Sequence, residues 1–231
     1  VTHTAAYRDG MPTYLEVDHV PHFDYKNPEG AADKTIAALE ERMKENGPYA
    51  AITMELVQGE GGFIYGTKEY YHKVLSWAKS HDLFVWIDEI QTFGRTTELF
   101  SFQMFELDKF VDLVTVGKAL QCCGILFTEE LNPKPGLIAG TFNGSLVSLN
   151  AANKTVRYLR EGNFYGPNGR IKELENKFLT NLQSLALKSC KDKITYCGGI
   201  GTMISFEVGD SSKETTMKYI KQLFLNGVIA F

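Results

Sequence analysis

Three side chains that could carry chemistry lie near the ends of apolar segments that indicate strands. Glu55 stands at the end of one such segment and precedes a glycine-rich turn, Asp88 directly follows a second, and Lys118 lies just beyond a third. In open α/β sheets, ligands bind outside the carboxyl ends of the strands. The three residues are therefore candidates for a single site.

Asp88 and Lys118 each allow a structural and a chemical interpretation. Asp88 could cap a turn or pair with Arg95, and Lys118 could extend its side chain into solvent. Alternatively, Asp88 is a buried anion that neutralises a cation such as a protonated heterocycle, because an unpaired buried carboxylate is costly. Lys118, if desolvated, becomes an amine nucleophile. Considered singly, the two residues leave both interpretations open.

Nucleotide-binding motifs fit these segments poorly. The turn after Glu55 lacks the glycine that a dinucleotide fingerprint needs at Ile64, and Lys118 lacks the glycine at Asp112 and the hydroxyl at Ala119 that a P-loop needs. A lysine able to form a Schiff base and a carboxylate able to pair with a pyridinium nitrogen, both at strand ends of one sheet, instead indicate a site for pyridoxal 5'-phosphate (PLP).

The predicted elements favour an α/β fold. Apolar strands alternate with amphipathic helices, as in a parallel sheet covered by helices, and the apolar run 83–87 predicts a strand buried on both faces. Residues 1–29 are expected to form an irregular connection. Helices are predicted over 30–46, 70–82, 146–159, 171–187 and 212–225, and strands over 49–57, 83–87, 112–116, 124–127, 194–197 and 202–208.

Length and composition set broad limits on the class of protein. The 231 residues allow one large domain or one and a half, and a change of character near Gly162 divides the chain into residues 1–161 and 162–231. Hydrophobic residues make up 44% and the net charge is −4, as in ordinary globular proteins. Mild acidity argues against a nucleic-acid partner, and the apolar stretches are too short to span a membrane.

The ends and the cysteines lead to further expectations. The sequence opens on Val1 without a targeting signal, and Val228–Phe231 is expected to begin a buried strand, so we expect a chain truncated at both ends. The four cysteines lack CxxC spacing and are expected to be buried, reduced thiols. His19 and His22 lack the context of a zinc site, and no metal is expected.

Four segments in order resemble the class III aminotransferases, the group of 4-aminobutyrate, ornithine, acetylornithine and lysine ε-aminotransferases. They are ELVQGEGG (55–62), DEIQTFGRT (88–96), DLVTVGKAL (112–120) and GTFNGS (140–145). The resemblance covers essentially the whole chain. It implies a fold type I PLP-dependent transferase: part of the large domain, with its mostly parallel sheet, followed by the start of a small α/β C-terminal domain.

The resemblance implies a role in PLP binding for four residues near the predicted strand ends. Lys118 would carry the Schiff base and shuttle the proton, and Asp88 would keep the pyridine nitrogen protonated. Ile90 would pack on one face of the ring, and Gln91 would bond to its 3-oxygen.

Two further implied roles reach beyond these residues. Thr141 would bind the cofactor phosphate across a homodimer interface, and Glu55 would pair with a switch arginine, so that one pocket accepts both an ω-amine and a dicarboxylate. The phosphate-cradling turn and the aromatic residue that stacks on the ring should precede Val1, and the switch arginine should follow Phe231. Leu56 departs from the family pattern, in which Pro is common after the glutamate.

The resemblance implies a transaminase that moves an amino group from an amino acid, expected to be an ω-amine, to a 2-oxo acid such as 2-oxoglutarate. A cytoplasmic or mitochondrial homodimer is expected, and a polypeptide of these residues alone should be a poor enzyme. Two alternatives stay open: a PLP-dependent aminomutase or decarboxylase on the same scaffold, and a non-catalytic module that keeps the fold.

Overall fold

The structure, a computed structural model, describes residues 8–10, 15–141 and 143–230. Its strands are β1 (Ala51–Met54), β2 (Val57–Gln58), β3 (Ile64–Tyr65), β4 (Phe84–Asp88), β5 (Leu113–Val116), β6 (Gly124–Phe127), β7 (Ile194–Ile200) and β8 (Met203–Val208). Its α-helices are α1 (Ala31–Asn46), α2 (Lys68–Ser80), α3 (Ser101–Met104), α4 (Leu146–Glu161), α5 (Arg170–Leu187) and α6 (Lys213–Leu225).

A four-stranded sheet in the order β1-β4-β5-β6 forms the centre of the structure. Strands β1, β4 and β5 run parallel to one another, and β6 pairs antiparallel with β5. The predicted α/β fold with a mostly parallel sheet is confirmed. Because β1, β4 and β5 point the same way, their carboxyl ends meet at one edge of the sheet.

One face of this sheet is covered by α2, with α1 packed beside it. The side chain of Thr67 caps α2 by accepting a hydrogen bond from the Tyr70 amide at 3.1 Å. The buried residues of α2 recur at helical spacing and pack on Val85 and Ile87 of β4. They are Tyr70, Tyr71, Val74, Leu75 and Ala78.

The prediction that the strand at 83–87 is buried on both faces is wrong. Val85 and Ile87 are fully buried, whereas Trp86 and Asp88 are half-buried. Successive side chains of a strand point to opposite faces, and α2 covers only the face that carries Val85 and Ile87. The other face, with Asp88 at its end, stays partly open.

The C-terminal part contains the antiparallel hairpin β7–β8, with α5 packed against β7. The hairpin turn lies on the segment that follows β4, because the Thr202 amide donates to the Arg95 carbonyl oxygen at 2.8 Å. The Gly201 amide donates to the buried Glu175 carboxylate at 2.6 Å. The division into domains at Gly162 stays a prediction.

Most predicted elements are confirmed to within a few residues, with two differences. The segment 49–57 contains β1 and then β2, which forms a two-residue hairpin ladder with β3. Val228 and Ile229 are exposed and form no strand, because no strand in the described part of the chain pairs with them; Phe231 lies outside that part. Within the described ranges, no helix is both long and apolar enough to cross a membrane.

The predicted burial of the cysteines is also wrong. All four are free thiols, and they are half-buried or exposed. Cys122 and Cys123 lie in the turn before β6 and Cys190 lies in the turn after α5, where the backbone runs along the surface. Cys197 lies on the two-stranded sheet formed by β7 and β8.

Candidate active site

The structure brings Glu55, Asp88 and Lys118 to the same edge of the central sheet. Glu55 directly follows β1, Asp88 is the last residue of β4, and Lys118 lies two residues beyond the end of β5. The register places Asp88 opposite Thr115. Three predicted site residues therefore lie at or just beyond the carboxyl ends of three neighbouring parallel strands, as expected for a ligand site in an α/β sheet.

The Asp88 carboxylate is held by one of its two oxygens. Oδ1 accepts a hydrogen bond from the Ile90 amide at 2.9 Å, so the turn-capping interpretation applies to this oxygen. In the part of the chain that the structure describes, Oδ2 accepts no hydrogen bond, and Asp88 forms no ion pair with Arg95. A half-buried carboxylate with one oxygen held and the other free is suited to binding a cationic N–H group.

Glu55 is a second half-buried carboxylate at this edge. Its Oε2 accepts a hydrogen bond from the Gly59 amide at 2.8 Å. Burial raises the pKa of the Glu55 carboxyl above its usual range; the Gly59 amide and the nearby charge of Lys118 lower it, and the charge of Asp88 raises it. Asp88 and Lys118 therefore lie close enough to Glu55 for their charges to act on its carboxyl.

Lys118 begins a short 3-10 turn, Lys118–Leu120, with an uncommon backbone conformation. Its φ of 41° lies in the left-handed region, which costs a non-glycine residue about 1–3 kcal/mol and is concentrated at functional sites. The side chain is exposed and, among the described residues, forms no ion pair. The amine therefore reaches solvent above the sheet edge, as the structural interpretation expects, and the described residues do not desolvate it.

Ile90 and Gln91 lie at the same site, because each side chain packs against a glycine of a neighbouring turn. A Cβ at Gly117 would lie 3.0 Å from Cδ1 of Ile90, so Ile90 packs on the backbone directly before Lys118. A Cβ at Gly59 would collide with the side-chain amide of Gln91. The segment after β4 thus contacts both the turn that holds Glu55 and the turn that carries Lys118.

Thr141 is not brought to this edge by contacts in the described part of the chain. It lies on an exposed turn between β6 and α4, in which the Asn143 amide donates to the Gly140 carbonyl oxygen at 3.1 Å. Its neighbour Phe142 lies outside the described residues. The predicted role of Thr141 stays a prediction.

Glu89 is a site residue that sequence reasoning missed. Its carboxylate is fully buried and accepts hydrogen bonds from the Ser101 hydroxyl at 2.7 Å, from the Phe102 amide at 3.1 Å and from the Thr92 hydroxyl. Burial raises the pKa of Glu89. The carboxylate ties the segment that carries Ile90 to α3. The sequence does show a second carboxylate beside Asp88. Its burial could not be predicted, because it depends on the position of α3.

The half-buried ring of His22 packs against two tyrosines of α2. Its ring centroid lies 5.9 Å from that of Tyr70 and 6.2 Å from that of Tyr71. Burial lowers the pKa of His22 to about 4, so the ring is neutral near pH 7. Among the described residues, no group of three or more His, Cys, Asp or Glu side chains could hold a metal ion.

Comparison with known proteins identifies the family. The family model for class III aminotransferases matches residues 1–231. The chain therefore belongs to the class III aminotransferase family, whose members are PLP enzymes.

Among curated relatives, ornithine aminotransferase from Saccharomyces cerevisiae is 28% identical over 199 residues, which are 82% of this chain and 45% of that protein. Acetylornithine aminotransferase from Methanothermobacter thermautotrophicus is 33% identical over 166 residues, which are 69% of this chain and 41% of that protein. The chain spans about half the length of the curated relatives it matches.

Solved structures support the fold. Lysine aminotransferase from M. tuberculosis in the internal aldimine form matches with a TM-score of 0.78 at 20% identity, over 91% of this chain and 49% of that one. A transaminase solved with L-ala matches with a TM-score of 0.79 at 21% identity, over 99% of this chain and 60% of that one. The fold is thus that of PLP-dependent aminotransferases.

Proposed function

We propose that the whole protein is a PLP-dependent transaminase, which moves an amino group from an ω-amino acid to a 2-oxo acid such as 2-oxoglutarate. The observation that carries the proposal is the placement of Lys118 and Asp88. An exposed amine and a half-buried carboxylate lie at the ends of neighbouring parallel strands, and they form no ion pair within 4 Å. Membership of the class III family supports the same reaction.

The residues at the sheet edge fit PLP by their chemistry. Lys118 would hold the cofactor through a Schiff base at Nζ, and the free Oδ2 of Asp88 would accept a hydrogen bond from the protonated pyridine nitrogen. Ile90 would give an apolar surface to one ring face, and Gln91 would bond to the 3-oxygen. When bound, PLP supplies an electron sink for negative charge that develops on the substrate carbon.

Lys118 and Asp88 then have distinct proton-handling roles. Lys118 Nζ, released from the cofactor when the substrate amine replaces it, would take the proton from the substrate carbon that bears the amino group, which is general acid–base catalysis by a positioned amine. The Asp88 carboxylate would keep the proton on the ring nitrogen by accepting a hydrogen bond from it. The hydrogen bond from the Ile90 amide to Oδ1 fixes the direction of the carboxylate for this task.

Glu55 is proposed to bind substrate through a cationic partner. Its carboxylate is half-buried and bonded to the Gly59 amide, and burial raises its pKa. A nearby cation would lower that pKa and stabilise the ionised form. A switch arginine that pairs with Glu55 when an ω-amine occupies the pocket, and leaves it when a dicarboxylate does, fits this requirement.

We further propose a homodimer in which Thr141 binds the cofactor phosphate of the partner subunit. Thr141 lies on an exposed turn, where it is accessible to a second subunit. Large apolar side chains on both sides of this turn are also exposed: Leu126, Phe127, Leu137, Ile138, Leu146 and Val147. A protein that binds PLP tightly while sedimenting as a monomer would contradict the dimer.

Product analysis tests the proposed reaction. The full-length protein loaded with PLP is incubated with ω-amino acids, with and without 2-oxoglutarate, and glutamate formation is measured. Glutamate formed only when both substrates are present supports transamination. An isomerised amino acid formed without the 2-oxo acid indicates a mutase, release of CO₂ indicates a decarboxylase, and no conversion of any donor contradicts the proposal.

A further inference from the structure

Tyr71 closes the hairpin that begins next to Glu55. The Tyr71 side chain is fully buried in α2. Its hydroxyl donates a hydrogen bond to the Leu56 carbonyl oxygen and accepts one from the Gly66 amide at 2.7 Å. Burial raises the pKa of Tyr71, which favours the protonated hydroxyl that this donor contact needs.

This contact occupies a specific place in the β2–β3 register. Val57 pairs with Tyr65, so Leu56 and Gly66 form the next position of the ladder. The Tyr71 hydroxyl stands between these two residues and bonds to both. A side chain from α2 thus continues the ladder where the two strands separate, and it does so one residue from Glu55.

Glu55 depends on this hairpin for its own position. Its carboxylate accepts the Gly59 amide at 2.8 Å, and Gly59 directly follows β2. The backbone of Leu56 and the turn at Gly59 therefore both belong to the segment that Tyr71 fixes. Without the hydroxyl, the buried Leu56 carbonyl and Gly66 amide lose this partner, which favours separation of the hairpin ends.

Tyr70, the preceding residue, is a natural control. It is also buried, and its hydroxyl lies 3.0 Å from Oγ1 of Thr35 on α1. That contact joins two helices on the covered face of the sheet, and the Tyr70 hydroxyl bonds to neither Glu55 nor the hairpin, although Cδ1 of its ring lies next to Gly66. Tyr70→Phe and Tyr71→Phe therefore remove the same atom from adjacent buried residues with different connections.

We propose that Tyr71 is a positioning residue for Glu55 and thereby helps to set the preference between ω-amine and dicarboxylate substrates. This inference rests on the proposed transaminase function. Tyr71 does not contact the reacting atoms in this account. Its effect is on selectivity, through the carboxylate that it holds in place.

The test compares Tyr71→Phe, Tyr70→Phe and Glu55→Gln in the full-length, PLP-loaded protein. The measured quantity is kcat/KM for the ω-amine donor divided by kcat/KM for 2-oxoglutarate, with both taken from the half-reactions. Tyr71→Phe is expected to shift this ratio about three- to tenfold, the effect of one lost hydrogen bond, in the direction of the larger Glu55→Gln shift. Tyr70→Phe is expected to leave it unchanged.

Amide hydrogen exchange provides a measurement that does not need activity. Tyr71→Phe is expected to speed exchange at Gly59, which reports the Glu55 contact, as well as at Gly66, which loses its acceptor. In the wild-type protein, the two amides are expected to exchange through the same opening under mild denaturant. This comparison of the Gly59 and Gly66 amides uses only the wild-type protein, so it can be made even if Tyr71→Phe does not fold.

Each failure has a separate meaning. If Glu55→Gln shifts the ratio and Tyr71→Phe does not, the positioning role is wrong and the transaminase proposal stands. If Glu55→Gln leaves the ratio unchanged, the inference falls with the role of Glu55. If the loaded protein transfers no amino group, the proposed function fails. In that case the exchange data test only whether Tyr71 holds the hairpin next to Glu55. If the amides of Gly59 and Gly66 exchange through independent openings, this positioning role is wrong.

Discussion

The side-chain amide of Gln91 lies against the backbone of Gly59, so closely that a Cβ at residue 59 would collide with it. This contact joins the segment after β4 to the turn after β1 at the candidate site. Since Gln91 is a flexible side chain, a larger residue at 59 would displace its amide rather than unfold the protein. The contact can therefore be tested by its effect on the site.

Gly59→Ala is expected to weaken PLP binding about tenfold, the effect of losing the proposed hydrogen bond from Gln91. Absorbance or fluorescence titration of the apo-protein with PLP measures the change. Gly124→Ala is the matched control, because a Cβ there would meet Val116 Cγ2 at an ordinary 3.6 Å. Equal PLP affinity of Gly59→Ala and wild type would contradict the proposed role of Gln91.

Asp88→Asn separates the two interpretations of Asp88. The asparagine oxygen can still accept the Ile90 amide, so the midpoint of thermal unfolding should change little. Loss of the negative charge is expected to lower kcat by about 10²–10³-fold, the range found when one charge-stabilising group is removed from an active site. If the half-reaction keeps its wild-type rate, Asp88 only caps a turn.

Much of this site follows from sequence because its residues lie next to strands that sequence patterns reveal. The apolar runs before Asp88 and Lys118 predict β4 and β5, and parallel pairing brings their ends together. The half-burial of Asp88 was missed, because it depends on α2 covering only the opposite face of β4. The role of the Tyr71 hydroxyl was missed because its two partners, Leu56 and Gly66, lie at the end of the β2–β3 ladder. Strands of two residues are too short to be recognised from a sequence pattern.

His22 is expected to make stability depend on pH. Its pKa is about 4 in the folded protein against an ordinary value of 6.5. Between these values the unfolded chain binds more protons, so this residue contributes stability above pH 6.5 that is lost as the pH falls towards 4.

The expected loss from His22 is about 2 kcal/mol between pH 6.5 and pH 4.5. The replacement His22→Phe keeps an aromatic ring beside Tyr70 and Tyr71 but cannot titrate. Urea unfolding of both proteins at the two pH values measures the difference, and carboxyl groups common to both proteins cancel. A wild-type loss no larger than that of His22→Phe would show that His22 is not responsible.

Glu89 is expected to stabilise the fold through its acceptor oxygens rather than through its negative charge. Glu89→Ala leaves the Ser101 hydroxyl and the Phe102 amide without their buried acceptor, at a cost of about 2–4 kcal/mol in the free energy of unfolding. Glu89→Gln keeps an acceptor oxygen and is expected to lose less than half as much. Denaturant unfolding tests the order, and a Gln variant as unstable as the Ala variant would contradict it.

The central claim is that Lys118 binds the cofactor covalently. The full-length protein is loaded with PLP, reduced with borohydride, digested, and mapped by mass spectrometry, with Lys118→Ala and Lys154→Ala as paired variants. A pyridoxyl group is expected on Lys118 in wild type and in Lys154→Ala, and is expected to be absent from this position in Lys118→Ala. A label on another lysine in the wild-type protein, or no label at all, would contradict it.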